Sequence, residues 1–482
     1  MHFQFSTLAF IFILFVIFNI CPKKLRSYVL LAASILFIYW QGHGFGLLVL
    51  LAMTAFTWLT GLLISDADKN KALKIIGGMG VAALALVLFG WKYFPFLGEL
   101  LHSEKLSGIF KFAAPIGLSF YTFQAISYLA DITMGKRKAQ KNPFKFALYM
   151  TWFPKWISGP IEREQPFSEQ IDNCEKAKFF DKERALKSLT YLTWGLFMKM
   201  VLADRIGGVV DIVFEDPTQY GSVTLILTSI LYTMQIYCDF AGYTNIMMGI
   251  SVMFGIDITQ NFKTPYLTEN IVEFWRCWHI SLSNFLKDYV YITLGGNRKG
   301  AVRKIFNVMM VFFVSGIWHG VGVTFIIWGL LHGVFNVLAG YLRKSSAAFL
   351  VKGMSGRIVN FLLVSFAWIF FRASSMENAT AFVKGMIPFA NPAALTEGLK
   401  FKEELLLGMG SFEWWLLAIC MMALIVMDVI AYRKDTIPPE VIRLDFGLIK
   451  RAVFFTVFII VILIFGKYGS GEEIRSFVYM QF

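Results

Sequence analysis

Long apolar runs separated by short basic loops constrain this chain more than any other feature. The first, FSTLAFIFILFVIFNI, closes on Lys23, Lys24 and Arg26, and similar runs recur along the chain. A helix crosses roughly 30 Å of hydrocarbon in about 20 residues, with its backbone polar groups bonded internally. Hydrophobic residues fill 57% of the 482 positions and charged residues only 16%, more apolar than a soluble globular chain tolerates. The chain therefore reads as an all-α polytopic membrane protein.

The formal charge of +13 does not lie along one soluble face, as nucleic-acid binding would need; Lys and Arg sit in loops between apolar runs and read as topology signals. The first run precedes its positive charges, the reverse of a secretory signal, so it reads as a retained helix with an extracytoplasmic N-terminus. Residues 28–39 and 45–64 are expected to form two spans joined by the uncharged turn QGHG, with Lys69, Lys71 and Lys74 back inside. A fourth span ends near Trp91, an outer loop passes His102, and a fifth returns to Lys136, Arg137, Lys138, Lys141 and Lys145. Later basic turns at 298–304, 343–344, 433–434 and 450–451 leave the closing GSGEEIRSFVYMQF extracytoplasmic. Cys21, Cys174, Cys238, Cys277 and Cys420 are scattered without a CxxC pair, so neither a disulfide framework nor a metal site is expected. Without an internal repeat or a low-complexity linker, residues 1–482 read as a single domain.

Residues 142–187 and 257–300 fit no simple span, because both mix proline or glycine with aromatics and charges. Such stretches suit re-entrant or interfacial segments lining a cavity. In EFWRCWHISLSNFLKDYVYITLGGNRKG, Trp275, Trp278, His279, Leu282, Phe285, Leu286 and Tyr289 recur at helical spacing, with Arg276, Lys287 and Asp288 opposite. The spacing predicts an amphipathic surface helix, with His279 either on its polar rim or in a site.

In VSGIWHGVGVTF, His319 stands inside a spanning run between Gly316, Gly320 and Gly322. An ionisable group there is costly and should face a cavity or a partner, while flanking glycines admit a second backbone or a substrate. A desolvated imidazole stays neutral, the state a general base needs. The plainer reading is a core histidine bonded to a neighbouring helix. His332, in IIWGLLHGVF, again precedes a glycine and reads as packing, and His2, His43 and His102 have no neighbours that suggest a site. The chain has no GxSxG elbow, no HExxH and no Walker-type loop. Attack by an activated acceptor hydroxyl is the simplest chemistry that buried histidines could serve.

FWRCWHISLSNFLKDYVYITLGGNRKG followed by VSGIWHGVGVTFIIWGLLHG resembles the membrane-bound O-acyltransferase (MBOAT) family, in its bacterial branch of alginate O-acetylation proteins and teichoic-acid D-alanyl transferases. The likeness extends through GLSFYTFQAISYLADI, FPKWISGPIEREQPFSEQI and YTMQIYCDFAGYTNIMMGISVMFGIDITQNFKTPY, covering most of residues 115–340, and the closing VYMQF is similar to the alginate-type ending. It implies about 11 or more transmembrane helices, with re-entrant and interfacial helices around a central funnel. His319 matches the family's catalytic histidine in its WHG motif, and His279 the second histidine of RWHxSLS. Arg276 matches the first arginine of FWRRWH, whereas Cys277 departs from the second. Trp278 and Trp318, beside the two histidines, are candidates for substrate binding together with Asn261 and Tyr266. Glu162 and Arg163 rank behind them, with an interfacial ion pair as their plainer reading.

By resemblance, then, the chain would be an O-acyltransferase of the cell inner membrane, surrounded by lipid. An acyl group, acetyl first among the choices, would pass from a cytoplasmic thioester of coenzyme A or acyl carrier protein, with no bound cofactor, to an extracytoplasmic polysaccharide such as alginate. An extracytoplasmic SGNH-type acetyltransferase would be its partner. D-alanyl transfer to teichoic acid is the alternative. A transporter of lipids or glycans and a scaffold for a soluble acyltransferase are the rivals from other classes; scarce paired intramembrane carboxylates and the lack of a two-fold repeat speak against transport.

Overall fold

A computed structural model describes residues 5–67, 70–102, 114–176, 178, 181–387, 407–468 and 477. His2, the loop just after His102 and all of the closing GSGEEIRSFVYMQF except Phe477 lie outside the described residues. Among the described residues there is no strand, and 8 helices are long and apolar enough to cross a membrane, beside a shorter apolar helix over Ser6–Ile20. The all-α polytopic class expected from the apolar runs is the one that forms. The chain divides into two compact units, Met1–Leu189 with Met247–Gln260, and Thr190–Ile246 with Asn261–Val478.

In the first unit, α1 (Phe5–Ile20) sets Phe18 edge-on against Phe254, with ring centres 5.3 Å apart. Helix α2 (Arg26–Leu63) corrects the expected topology. QGHG is not a turn; the helix runs through it for 38 residues, about 57 Å at 1.5 Å per residue. Gly42 faces the Trp156 ring so closely that a Cβ would collide with it. That glycine serves close packing, and in apolar surroundings a helix keeps its own hydrogen bonds rather than exposing them in a reversal. The two flanking basic clusters thus lie at opposite ends of one rod, and the alternation expected from two crossings fails there. Helices α3 (Lys71–Leu100) and α4 (Leu118–Thr133) pack together beyond it.

Residues 142–187 break up as their prolines suggested. They form α5 (Pro143–Thr151), a single turn at Phe153–Trp156 and the amphipathic α6 (Glu164–Lys176), which buries Phe167, Ile171 and Cys174. The interfacial place expected of Glu162 is not the one it takes. Glu162 is buried, and its carboxylate accepts hydrogen bonds from the Thr259 amide and, at 2.9 Å, the Thr259 hydroxyl.

Helix α7 (Lys182–Leu196), part of the second unit from Thr190 onward, widens into a π-helical segment, Phe197–Ala203, before α8 (Asp204–Glu215). Lys199 in that segment pairs with Asp204 at 2.8 Å and Asp239 at 2.5 Å. Asp239 lies on α9 (Ser222–Met253), the most enclosed spanning helix, with 67% of its apolar window buried. Two short helices, α10 (Ile271–Cys277) and α11 (Ile280–Leu286), precede a tight hairpin of α12 (Gly300–His319) and α13 (Val323–Leu342). Glycines draw this hairpin together. A Cβ on Gly316 would strike the Phe325 carbonyl, and one on Gly329 the Phe312 carbonyl. Gly316 within α12 and Gly320 just past its end, and Gly329 and Gly333 on α13, share the small-x-x-x-small spacing of close membrane helix pairs, each with a histidine before its second glycine. Helix α14 (Gly353–Arg372) packs on α13; α15 (Ser411–Arg433) and α16 (Leu448–Phe465) follow, and only 11% of the apolar window of α16 is buried, as a lipid-facing helix requires.

Candidate active site

The expected amphipathic helix across Trp275–Tyr289 is broken at the residue that matters. Helix α10 ends at Cys277, Trp278 is extended, and His279 takes left-handed backbone angles, φ 42° and ψ 55°, before α11 begins. A left-handed residue with a side chain costs of order 1–3 kcal/mol and persists only where the surroundings impose it. Asn261 supplies part of that constraint. Its carbonyl accepts from the Ile280 amide at 3.0 Å and its side-chain oxygen from the Ser281 amide at 3.1 Å, satisfying the first donors of α11 in place of a cap from His279. The break turns His279 inward. It is 0% exposed, edge-on to Phe240 at 4.8 Å, so the rim reading of this histidine is overturned. Burial pushes its imidazole down to about 3 and keeps it neutral.

His319 is the last residue of α12 and is 3% exposed, with the rings of Trp318, Trp328 and Phe371 at 4.7, 5.0 and 5.2 Å. Trp318 also lies 6.2 Å from His279, so one indole bridges the two histidines that the sequence singled out. On its other side, Trp328 lies 5.0 Å from His332. His332 accepts a hydrogen bond at Nδ1 from the Trp275 indole at 3.3 Å, and Trp275 belongs to the helix leading to His279. Three histidines and three tryptophans therefore form one buried cluster. His332 takes part in it instead of serving as separate packing.

A cavity of about 990 Å³ reaches this cluster from one side, with Arg276, Lys287, Lys304 and Lys344 along it, Trp275 and Phe312 among its apolar lining, and Ser315 in its wall. Ser315 is four residues before His319 on α12, so the cavity comes within one helical turn of the imidazole. The His319 ring sits in an aromatic box beside this cavity.

Of the proposed binding residues, Arg276 alone is exposed and lines that cavity. Trp278 packs on Phe274 at 5.5 Å, Trp318 bridges the histidines, Asn261 holds the backbone at His279, and the Tyr266 hydroxyl donates to the Thr233 carbonyl at 2.8 Å. Cys277 is half-buried and contributes its carbonyl to the Lys263 amide. Sequence reasoning passed over Trp328, Trp275 and Ser315. The repeated Gly-x-x-His-Gly of α12 and α13 was the signal that could have found the first two. The indole N–H of Trp328, that of Trp368, and His332 Nε2 have no acceptor among the described residues, at about 1–3 kcal/mol for each buried group left unpaired.

The model of the MBOAT, membrane-bound O-acyltransferase family, matches residues 34–380. A probable alginate O-acetylase AlgI of Azotobacter vinelandii is 32% identical over 400 residues, covering 80% of this chain and 78% of the relative. A peptidoglycan O-acetyltransferase of Helicobacter pylori is 31% identical over 398 residues, 76% of this chain and 74% of that one. A teichoic acid D-alanyltransferase of Bacillus subtilis is 27% identical over 313 residues, 63% and 77%. With its long apolar helices and its buried histidine cluster, the chain is a multi-pass membrane acyltransferase belonging to the membrane-bound O-acyltransferase family.

Proposed function

We propose that this chain O-acetylates an extracytoplasmic polysaccharide, taking the acetyl group from a cytoplasmic thioester of coenzyme A or acyl carrier protein. The observation that carries the reading is His319, buried beside Trp318 and Trp328 and one turn from a cavity flanked by four cations. In this account the cations receive phosphate groups of the donor, whose acyl end passes Ser315 toward His319. The acceptor hydroxyl attacks the thioester carbonyl, its proton passes to the His319 imidazole, and the leaving thiolate recovers that proton. His279 and Trp318 hold the acceptor side. General base catalysis of this kind is worth about 10² to 10⁴-fold in rate.

Relatives named for acetylating alginate and peptidoglycan are more similar to this chain than the D-alanyltransferase, which supports acetyl over D-alanyl. An SGNH-type acetyltransferase outside the cytoplasmic membrane would complete delivery to the polymer. Mass spectrometry of envelope glycans from cells with and without the chain tests the reading. Loss of O-acetyl groups on deletion, restored by the wild-type chain and not by His319→Ala, is the expected result; unchanged glycans on deletion would overturn it.

A further inference from the structure

His332 and Trp328 have a feature that packing does not require. Phe or Leu would fill the same volume without burying a polar group. His332 is 0% exposed on α13, with Phe274 nearly parallel at 6.3 Å and Trp328 at 5.0 Å. The Trp275 indole donates to its Nδ1, so Nδ1 carries no hydrogen and the neutral ring bears its proton on Nε2. The hydrogen bond from Trp275 thus fixes which nitrogen of His332 is the donor.

That Nε2 has no acceptor among the described residues, and neither has the indole N–H of Trp328, whose ring is 0% exposed. The two rings are neighbours, and Trp328 is equally close, 5.0 Å, to His319. Trp368, stacked on Trp328 at 5.6 Å, adds a third such indole. Buried N–H groups nearly always have acceptors. Several without one, gathered beside a single imidazole and behind the cavity wall of Trp275 and Phe312, fit an oxygen atom brought by a ligand.

We infer that the Trp328 indole N–H and the His332 Nε2–H bind the acyl carbonyl oxygen and hold it as it becomes an oxyanion. This assignment rests on the acyl-transfer reading above. As the acceptor oxygen bonds to the carbonyl carbon, its proton goes to His319 and the carbonyl π pair moves onto the oxygen held by the two donors. Collapse restores the carbonyl and breaks the carbon–sulfur bond, and the thiolate takes the proton from His319. Aromatic rings wall this box, so the donors act at low dielectric, where such bonds are strongest.

The test uses membranes from cells carrying the full chain, supplied with labelled acetyl-CoA and cytosolic extract, which charges a carrier protein should one be the donor. Trp328→Phe keeps the ring and removes the N–H. It should lower the maximal rate about 10² to 10³-fold, as loss of one oxyanion donor does, with the half-saturating donor concentration unchanged. His332→Phe should fall similarly, and His332→Gln, which keeps an acceptor and a donor, should recover at least tenfold over His332→Phe. Full activity of a membrane-inserted Trp328→Phe, with His319→Ala inactive, overturns the assignment and leaves the function standing. Should Trp328→Phe fail to insert, the His332 pair decides: equal rates for Gln and Phe overturn the assignment. Membranes lacking the chain that label glycan as well as wild type overturn the function, and the assignment with it.

Discussion

Lys199 and His332 are both buried polar side chains in one compact unit, and their surroundings differ in kind. Lys199 has carboxylates of Asp204 and Asp239 at 2.8 and 2.5 Å and the Phe477 ring 4.4 Å from its Nζ. The π-helical turn at Phe197–Ala203 carries the lysine on the same helical run as one of its partners, and α9 brings the other. His332 has one hydrogen bond, from Trp275, and otherwise rings. In the first cluster charge answers charge, which holds helices in register. In the second, the indole N–H groups of Trp328 and Trp368 and His332 Nε2 gather without an acceptor among the described residues. On the assignment proposed above, pairing separates a polar group kept for the fold from one kept for the reaction.

That contrast can be broken by mutation. His319→Ala should cut acyl transfer at least a hundredfold while leaving membrane level and melting temperature near wild type, measured by labelled acetate in glycan and by thermal unfolding in detergent. Lys199→Met leaves two buried carboxylates without their cation and should cost about 3–5 kcal/mol, read as a lowered melting temperature. Gly329→Ala drives a methyl into the Phe312 carbonyl and should cost about 1–3 kcal/mol; because Trp328 is the adjacent residue, rate and melting temperature should fall together. Arg276→Ala removes one exposed cation of the cavity and should raise the half-saturating donor concentration several-fold, an effect of up to about 1 kcal/mol that fades in high salt.

The fold class and two of the three clustered histidines were legible in the sequence, since apolar runs announce membrane helices and an imidazole inside one stands out. Three features were not. QGHG has the composition of a turn, and only Trp156 on a distant segment explains why Gly42 stays helical. The left-handed break at His279 depends on hydrogen bonds from Asn261, eighteen positions earlier, which helical periodicity does not record. Periodicity placed the apolar residues of that stretch on one face but gave no sign that the face would be folded in half. The place of His332 depends on Trp275, fifty-seven positions earlier, so spacing from His319 along one helix pointed to packing.

The transfer rate per folded molecule in Lys199→Met membranes tests the account most directly. A rate within about twofold of wild type, from a protein that melts well below it, is what a purely structural ion cluster predicts. A rate reduced as far as that of His319→Ala, at an unchanged melting temperature, would contradict it.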